Sequence, residues 1–165
     1  MSGRLVVAAH EVKSIVLVDT SILLNVLRVP SKSGDKETVM AELEEHVRAY
    51  NQLFLPMATV VETGNHIAQI KQNGTQRRRC AKELLEVVRM ARDDDVLWTL
   101  VDLPDRDRLM VWLDRFPDQA MRGVGLGDVS IIDEWHRACQ RHPAWRVAIW
   151  SLDAHLQGYE RGPSV

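Results

Sequence analysis

A run of β-branched residues that stops at a carboxylate constrains this chain more than any other feature. Residues 15–18, Ile-Val-Leu-Val, show no polar alternation, which is typical of a strand buried on both faces of a parallel sheet. Asp19 ends the run, and Asp19-Thr20-Ser21 is a good helix start for the apolar residues 22–27. Asp19 is therefore predicted to lie just beyond the carboxyl end of a central strand, where open α/β sheets bind their ligands.

The rest of the chain alternates strand and helix patterns. Further strands are predicted at 53–56, 96–101 and 147–150, and helices at 37–50, 58–72, 75–94, 105–116 and 128–141, with a last helical turn at 153–159. At 165 residues the chain is long enough for one domain with a real core. The pattern predicts a single domain over 1–165, with a core from about 14 to 159. Its expected fold is an α/β/α sandwich of three layers around a mostly parallel sheet of four to five strands.

Local signals set the predicted element boundaries. Asn73 and Gly74 are expected to close the helix before them, and Thr75 to cap the next one. Pro117 is expected to end the helix that begins at Asp105, because proline cannot donate a backbone hydrogen bond.

Composition places the chain among ordinary globular proteins, with 45% apolar and 27% charged residues. No apolar run approaches the ~20 residues of a membrane helix, and Leu5–Ala9 is too short for a signal-peptide core. Cys80 and Cys139 lack metal-ligand spacing and are expected to be free thiols in a reducing compartment. A cytoplasmic protein with no membrane partner is predicted. The net charge of −2 neither indicates nor excludes nucleic acid as a partner.

Carboxylates from four distant segments are predicted to reach one edge of the sheet. Asp19 follows the first strand, Asp153 follows the last, and Glu62 lies in the first turns of the helix after the second strand. Asp128 opens a helix behind the glycine-rich residues 123–127. Each one alone is better explained as a helix cap or a solvated helix residue, so the functional interpretation depends on their convergence. Together they would raise one another's pKa and destabilise the fold unless a cation held them, and ligands that are all oxygen favour Mg²⁺ or Mn²⁺ over zinc.

Helical spacing predicts which way the acidic side chains of the late helix point. Ile131, Ile132 and Trp135 follow Asp128 at +3, +4 and +7, so Asp128 shares the buried stripe. Asp133 lies about 140° further round and is expected to face away.

These segments resemble the PIN-domain ribonucleases, and most closely the VapC-type toxins of toxin–antitoxin systems. The resemblance runs from about residue 14 to 159 and is carried by the motifs Val18–Ser21, Val61–Thr63, Gly127–Asp128 and Ser151–Asp153. It implies a metal-dependent endoribonuclease that hydrolyses RNA phosphodiester bonds and leaves 5′-phosphate and 3′-hydroxyl ends. Two departures stand out. That family often has another short strand after the last acidic residue, which 157–165 is not expected to form, and this chain is longer through 75–94 and 104–117.

The same resemblance implies roles for particular residues. The catalytic and metal-binding positions would be Asp19, Glu62, Asp128 and Asp153, with Mg²⁺ or Mn²⁺ as the cofactor. Ser21 and Ser151 match hydroxyl or amide positions beside the metal. Expected partners are RNA, a small antitoxin protein and a second copy of the chain.

Basic residues offer contacts for a phosphate backbone. Arg122 precedes the glycine-rich segment, and Arg77 and Arg78 begin a cluster of cations on the 75–94 helix. A solvated helix face balanced by Glu83 and Glu86 explains that cluster at least as well. His66, His136 and His155 are expected to be surface or core residues, and Trp112 to pack in the core in preference to lining a dimer or antitoxin surface.

Other classes fit less well. A haloacid-dehalogenase-type phosphatase needs a second Asp where this chain has Ser21, and a phospho-receiver domain needs a late lysine, whereas none follows Lys82. The glycines of 123–127 lack the preceding strand of a dinucleotide-binding loop. The remaining alternative is a non-catalytic PIN-fold scaffold that binds RNA or a protein partner.

Overall fold

The computed structural model describes residues 12–71, 73–93 and 95–164. The helices and strands, in chain order, are β1 (Ser14–Val18), α1 (Thr20–Val26), α2 (Lys36–Arg48), β2 (Gln52–Leu55), α3 (Met57–Ala68), α4 (Gly74–Arg92), β3 (Trp98–Leu100), α5 (Arg106–Met121), α6 (Leu126–Arg141), β4 (Arg146–Trp150) and β5 (Glu160–Arg161). The weakly patterned start of the predicted domain, residues 1–11, lies outside the described residues. Among the helices that the structure describes, none is long and apolar enough to cross a membrane.

The strands form one sheet in the order β3-β2-β1-β4-β5. β1 runs parallel to β2 and β4, β2 runs parallel to β3, and only β5 is antiparallel to its neighbour β4. The predicted three-layer α/β/α sandwich with a mostly parallel sheet is thus confirmed.

The central strand β1 contributes side chains to two hydrophobic cores, one on each face of the sheet. Val16 and Val18 pack with apolar residues of α1 to α4, whereas Ile15 and Leu17 pack with Ile131 and other residues of α6. Alternate residues of a strand point to opposite faces, so a strand that is apolar throughout must be covered on both. The sequence prediction for residues 15–18 is confirmed.

Helix α6 presents Ile131, Ile132 and Trp135 to the sheet, as predicted. Asp133 faces away from the sheet, as expected, and its side chain is nevertheless buried. The reason is α5, which packs on that side of α6. The indole nitrogen of Trp112 on α5 donates to Asp133 Oδ2 at 2.7 Å.

The structure corrects the boundary predicted between the third and fourth helices. α3 ends at Ala68, and Asn73 is not a C-terminal cap. Its side chain instead accepts a hydrogen bond from the backbone N–H of Gln76 at 3.0 Å, which makes it the N-cap of α4 in place of Thr75. Asparagine caps either end of a helix well, so the residue type alone did not decide between them.

Two further local predictions were wrong. α5 continues through Pro117 to Met121, so the backbone hydrogen bond that the proline cannot donate is lost without ending the helix. The segment 157–165, for which no strand was expected, contains β5. Arg161 fixes this short strand by donating to the backbone carbonyls of His142 and Trp145 at 2.8 and 2.9 Å.

Candidate active site

Asp19 joins the end of the central strand to the first helix. Its backbone N–H donates to the carbonyl of Trp150 on β4 at 3.0 Å, and its own carbonyl accepts from Ile22 and Leu23 in α1. Asp19 is the N-cap of α1 and is only 8% exposed. The strand therefore ends at this carboxylate, as the sequence predicted.

Two serine hydroxyls hold the same oxygen of the Asp19 carboxylate. Ser21 Oγ and Ser151 Oγ each donate to Asp19 Oδ2 at 2.7 Å. Each serine oxygen accepts in turn, from the N–H of Leu152 at 3.0 Å and of Asp153 at 2.9 Å respectively. An ionised carboxylate can only accept, so both hydroxyl protons are directed at Asp19. Within the described residues, the hydrogen bonds reach only Oδ2, so Oδ1 keeps its lone pairs for another ligand.

Glu62 is positioned by contacts to α1 and α6. Thr59 Oγ1, one turn earlier on α3, donates to the carbonyl of Val18 at 2.7 Å and ties α3 to the end of β1. Thr20 Oγ1 donates to Glu62 Oε2 at 3.0 Å. The other oxygen, Oε1, lies against Gly127, where it would collide with any Cβ. Thr20 was predicted as part of a helix start and of the first motif, but no local signal in the sequence pointed to its bond with Glu62.

Asp153 lies in the turn after β4. Its backbone N–H is bonded to Ser151 Oγ, and its own Oδ1 accepts from the backbone N–H of His155 at 2.9 Å. The side chain is exposed, but the Ser151 bond keeps its backbone beside Asp19.

Asp128 connects the four carboxylates electrostatically. It lies in the first turn of α6, whose N-cap is Gly125, and it is half-buried. Burial, and after it the negative charges of Asp153, Asp19 and Glu62 in that order of effect, raises the pKa of Asp128 to about 6. A helix N-terminus favours an ionised carboxylate, so this upward shift arises despite the helix dipole. Asp19, Glu62, Asp128 and Asp153 are called the carboxylate pocket below.

The carboxylate pocket has the donor chemistry of a hard divalent cation. Its donors are carboxylate and hydroxyl oxygens, which Mg²⁺ and Mn²⁺ prefer, and they carry more negative charge than the neighbouring groups neutralise. Among the described residues, no three His, Cys, Asp or Glu side chains are already arranged around a common centre. Mg²⁺ is usually held by one or two carboxylates and keeps several waters, so the oxygens present fit such an ion.

The three arginines predicted to bind phosphate occupy different places. Arg122 is the exposed C-cap residue of α5 and leads into the turn before α6. Arg77 donates to the carbonyl of Ile70 at 2.6 Å, beyond the end of α3 that lies furthest from Asp19. Arg78 is exposed on α4. The structure therefore brings Arg122, but not Arg77, to the helix junction beside the carboxylate pocket.

The likeness of this chain to known proteins is a likeness of fold. The sequence matches no protein-family profile and no curated protein. Among solved structures it is similar to PAE2754 from Pyrobaculum aerophilum, with a TM-score of 0.50 and 16% identity over 95% of this chain and 91% of that one. At this identity the likeness shows that the two chains share an α/β fold.

Proposed function

We propose that this protein is a Mg²⁺- or Mn²⁺-dependent endoribonuclease of the PIN-domain type. The observation that carries the proposal is the convergence of four carboxylates at the carboxyl edge of a parallel sheet, close enough for three of them to raise the pKa of Asp128. Such repulsion is costly for a structural site, and it is relieved when a cation binds.

The residues of the pocket have separable roles in this proposal. Asp19 would hold the cation through Oδ1, because Ser21 and Ser151 occupy Oδ2 and fix the orientation of the carboxylate. Glu62 and Asp128 would complete the site from α3 and α6, and Asp153 from the turn after β4. When bound, the cation would supply positive charge to a phosphate oxygen and acidify the attacking water.

The choice of RNA as substrate rests on the motif resemblance, and so do the further biological roles. A toxin would be held inactive by a small antitoxin protein and would act in the cytoplasm, and a homodimer is the expected assembly. On α5, Leu109, Met110 and Leu113 are 42%, 53% and 38% exposed and supply apolar surface for either protein contact.

Replacing Asp19 by Asn tests the proposal directly. The amide oxygen still accepts from Ser21 and Ser151, so the fold is expected to persist while the negative charge is lost. Cleavage of cellular RNA in Mn²⁺ should fall by two or more orders of magnitude, which corresponds to about 3 kcal/mol of transition-state stabilisation. The metal-dependent rise in Tm should disappear as well.

The matched control is Asp105→Asn, the same substitution at the exposed N-cap of α5. It should cleave RNA at the rate of the unmodified protein. An Asp19→Asn variant that cuts as fast as the control, or cleavage that persists in chelator, contradicts the proposal. RNA binding without any cleavage would instead support the non-catalytic scaffold.

A further inference from the structure

Helix α5 carries arginines at a repeat of seven residues. Arg108, Arg115 and Arg122 follow one another at this spacing, which is close to two helical turns, so they share one stripe of the helix. Neighbouring members are separated by about 10 Å along the axis. The stripe ends at the C-cap, which places Arg122 at the turn that leads into α6 and Asp128.

The middle of this stripe faces α6 across an open groove of about 410 Å³. Arg108 and Arg115 line it from α5, and His136, Arg137 and Gln140 line it from α6. We call this the arginine groove. Its walls are mostly polar, unlike the apolar contacts with which α6 packs on the sheet.

The arginine groove has more positive than negative charge. The buried Asp133 carboxylate forms ion pairs with both arginines, through Oδ2 to Arg108 at 2.5 Å and through Oδ1 to Arg115 at 3.6 Å. One carboxylate cannot neutralise two guanidinium groups. The Arg115 side chain is also 56% exposed, and its contact is longer than a hydrogen bond, so its donors remain directed at solvent.

The third arginine of the groove, Arg137, forms an ion pair at the edge of the groove. Arg137 contacts Glu134 at 3.3 Å on the same helix. Asp133 and Glu134 therefore oppose Arg108, Arg115 and Arg137, which leaves one cation in excess even with His136 neutral. Asp118 follows Arg115 by three residues and precedes Arg122 by four, so it neighbours both on the helix surface and offsets part of their charge. Counting Arg122 and Asp118 as well still leaves one cation in excess.

We infer that the arginine groove is a phosphate-binding track that guides a single RNA strand along α5, from Arg115 past Arg122, to the carboxylate pocket. This inference rests on the proposed function. Arginine suits the task because its planar fork of donors binds phosphate oxygens in two places at once.

The test measures RNA binding separately from cleavage. A fluorescent single-stranded RNA is titrated with the Asp19→Asn protein in chelator, at several salt concentrations, and anisotropy reports the affinity. Adding Arg115→Ala and Arg122→Ala together should weaken binding roughly tenfold. The slope of log affinity against log salt should shrink by about 1.4, since each lost phosphate contact in a single strand accounts for about 0.7.

The matched control removes the same charge from other surfaces. Arg106→Ala combined with Arg48→Ala takes one exposed arginine from the opposite face of α5 and one from α2. It should change the affinity less than twofold. Equal losses in the two double variants would mean that only net charge matters and would overturn the inference, as would unchanged binding by the groove variant.

Failure of the groove and failure of the nuclease give different results. Metal-dependent cleavage by the unmodified protein, with RNA binding untouched by the groove variant, would overturn the track and leave the proposed activity standing. Binding that depends on Arg115 and Arg122, without cleavage in Mg²⁺ or Mn²⁺, would support the track and overturn the activity.

Discussion

The carboxylate of Glu62 lies directly against the backbone of Gly127, so that no side chain larger than hydrogen fits between them. Thr20 holds the other oxygen of the same carboxylate at 3.0 Å. Residues from α1 and α6 thus fix a side chain of α3. The φ of Gly127 is not positive, so glycine provides space for the Glu62 carboxylate here and not a special backbone conformation.

Gly127→Ala should separate activity from stability. The new methyl group pushes the end of Glu62 out of the carboxylate pocket, and we expect cleavage to fall by about tenfold or more. Alanine is the better helix former by up to about 1 kcal/mol, so the free energy of unfolding should stay equal or rise. Cleavage rate and urea unfolding measure the two effects. Gly125→Ala is the control, since a Cβ there meets nothing within 4 Å; equal losses of activity in both variants would contradict the prediction.

Stability without metal should depend on the ionisation of Asp128. Its folded pKa of about 6 lies above the ordinary aspartate pKa of 3.8, so the folded protein binds more protons than the unfolded chain between these values. This group therefore contributes full stability below about pH 3.8 and loses it as pH rises through 6. Asp128→Asn removes the charge, so its Tm in chelator should exceed that of the unmodified protein. The difference between the two Tm values should grow as the pH rises from about 5 to about 7.5.

Saturating Mg²⁺ should reduce that pH effect, because a bound cation replaces the proton as the partner of Asp128. Thermal melts at each pH, with chelator or with Mg²⁺, provide the comparison. A difference in Tm between Asp128→Asn and the unmodified protein that stays constant from pH 5 to pH 7.5 would argue against the raised pKa.

Asp133 should matter for stability, whatever the activity of the protein. Asp133→Ala leaves Arg108 and the indole N–H of Trp112 without their acceptor, and removing one partner of a buried pair costs about 3–5 kcal/mol. The Arg108 side chain is 22% exposed, so solvent reduces the expected loss to about 2–4 kcal/mol of unfolding free energy. Urea unfolding measures it. Asp114→Ala, on the exposed surface of α5, should change stability by less than about 0.5 kcal/mol, and a similarly small change for Asp133→Ala would refute the prediction.

The sheet and the carboxylates were predictable because their signals are local. The apolar run at 15–18 and the polar residues that follow each strand define where the strands end, and parallel strands end at the same edge. The stripe of Ile131, Ile132 and Trp135 similarly fixed the rotation of α6 about its own axis, and with it the inward direction of Asp128.

Features that depend on contacts between distant elements were not predictable in this way. The burial of Asp133 follows from the packing of α5 on α6, and the Thr20–Glu62 bond from the packing of α1 on α3. Asn73 carries a capping signal that is valid for either helix end, and only the chain path selects one. β5 has two residues, too few to show any periodicity.

The short strand β5 also affects whether the sheets of neighbouring molecules can pair with one another. β4 would otherwise be the open border of the sheet, with unpaired backbone groups that can align with a strand from a neighbouring molecule. Glu160 and Arg161 pair with Ala148 and Val147 and so occupy that border. Deleting the last residues of the chain from Tyr159 onward would uncover it, and edge-to-edge aggregation would follow from the loss of a tail that contributes little to the core.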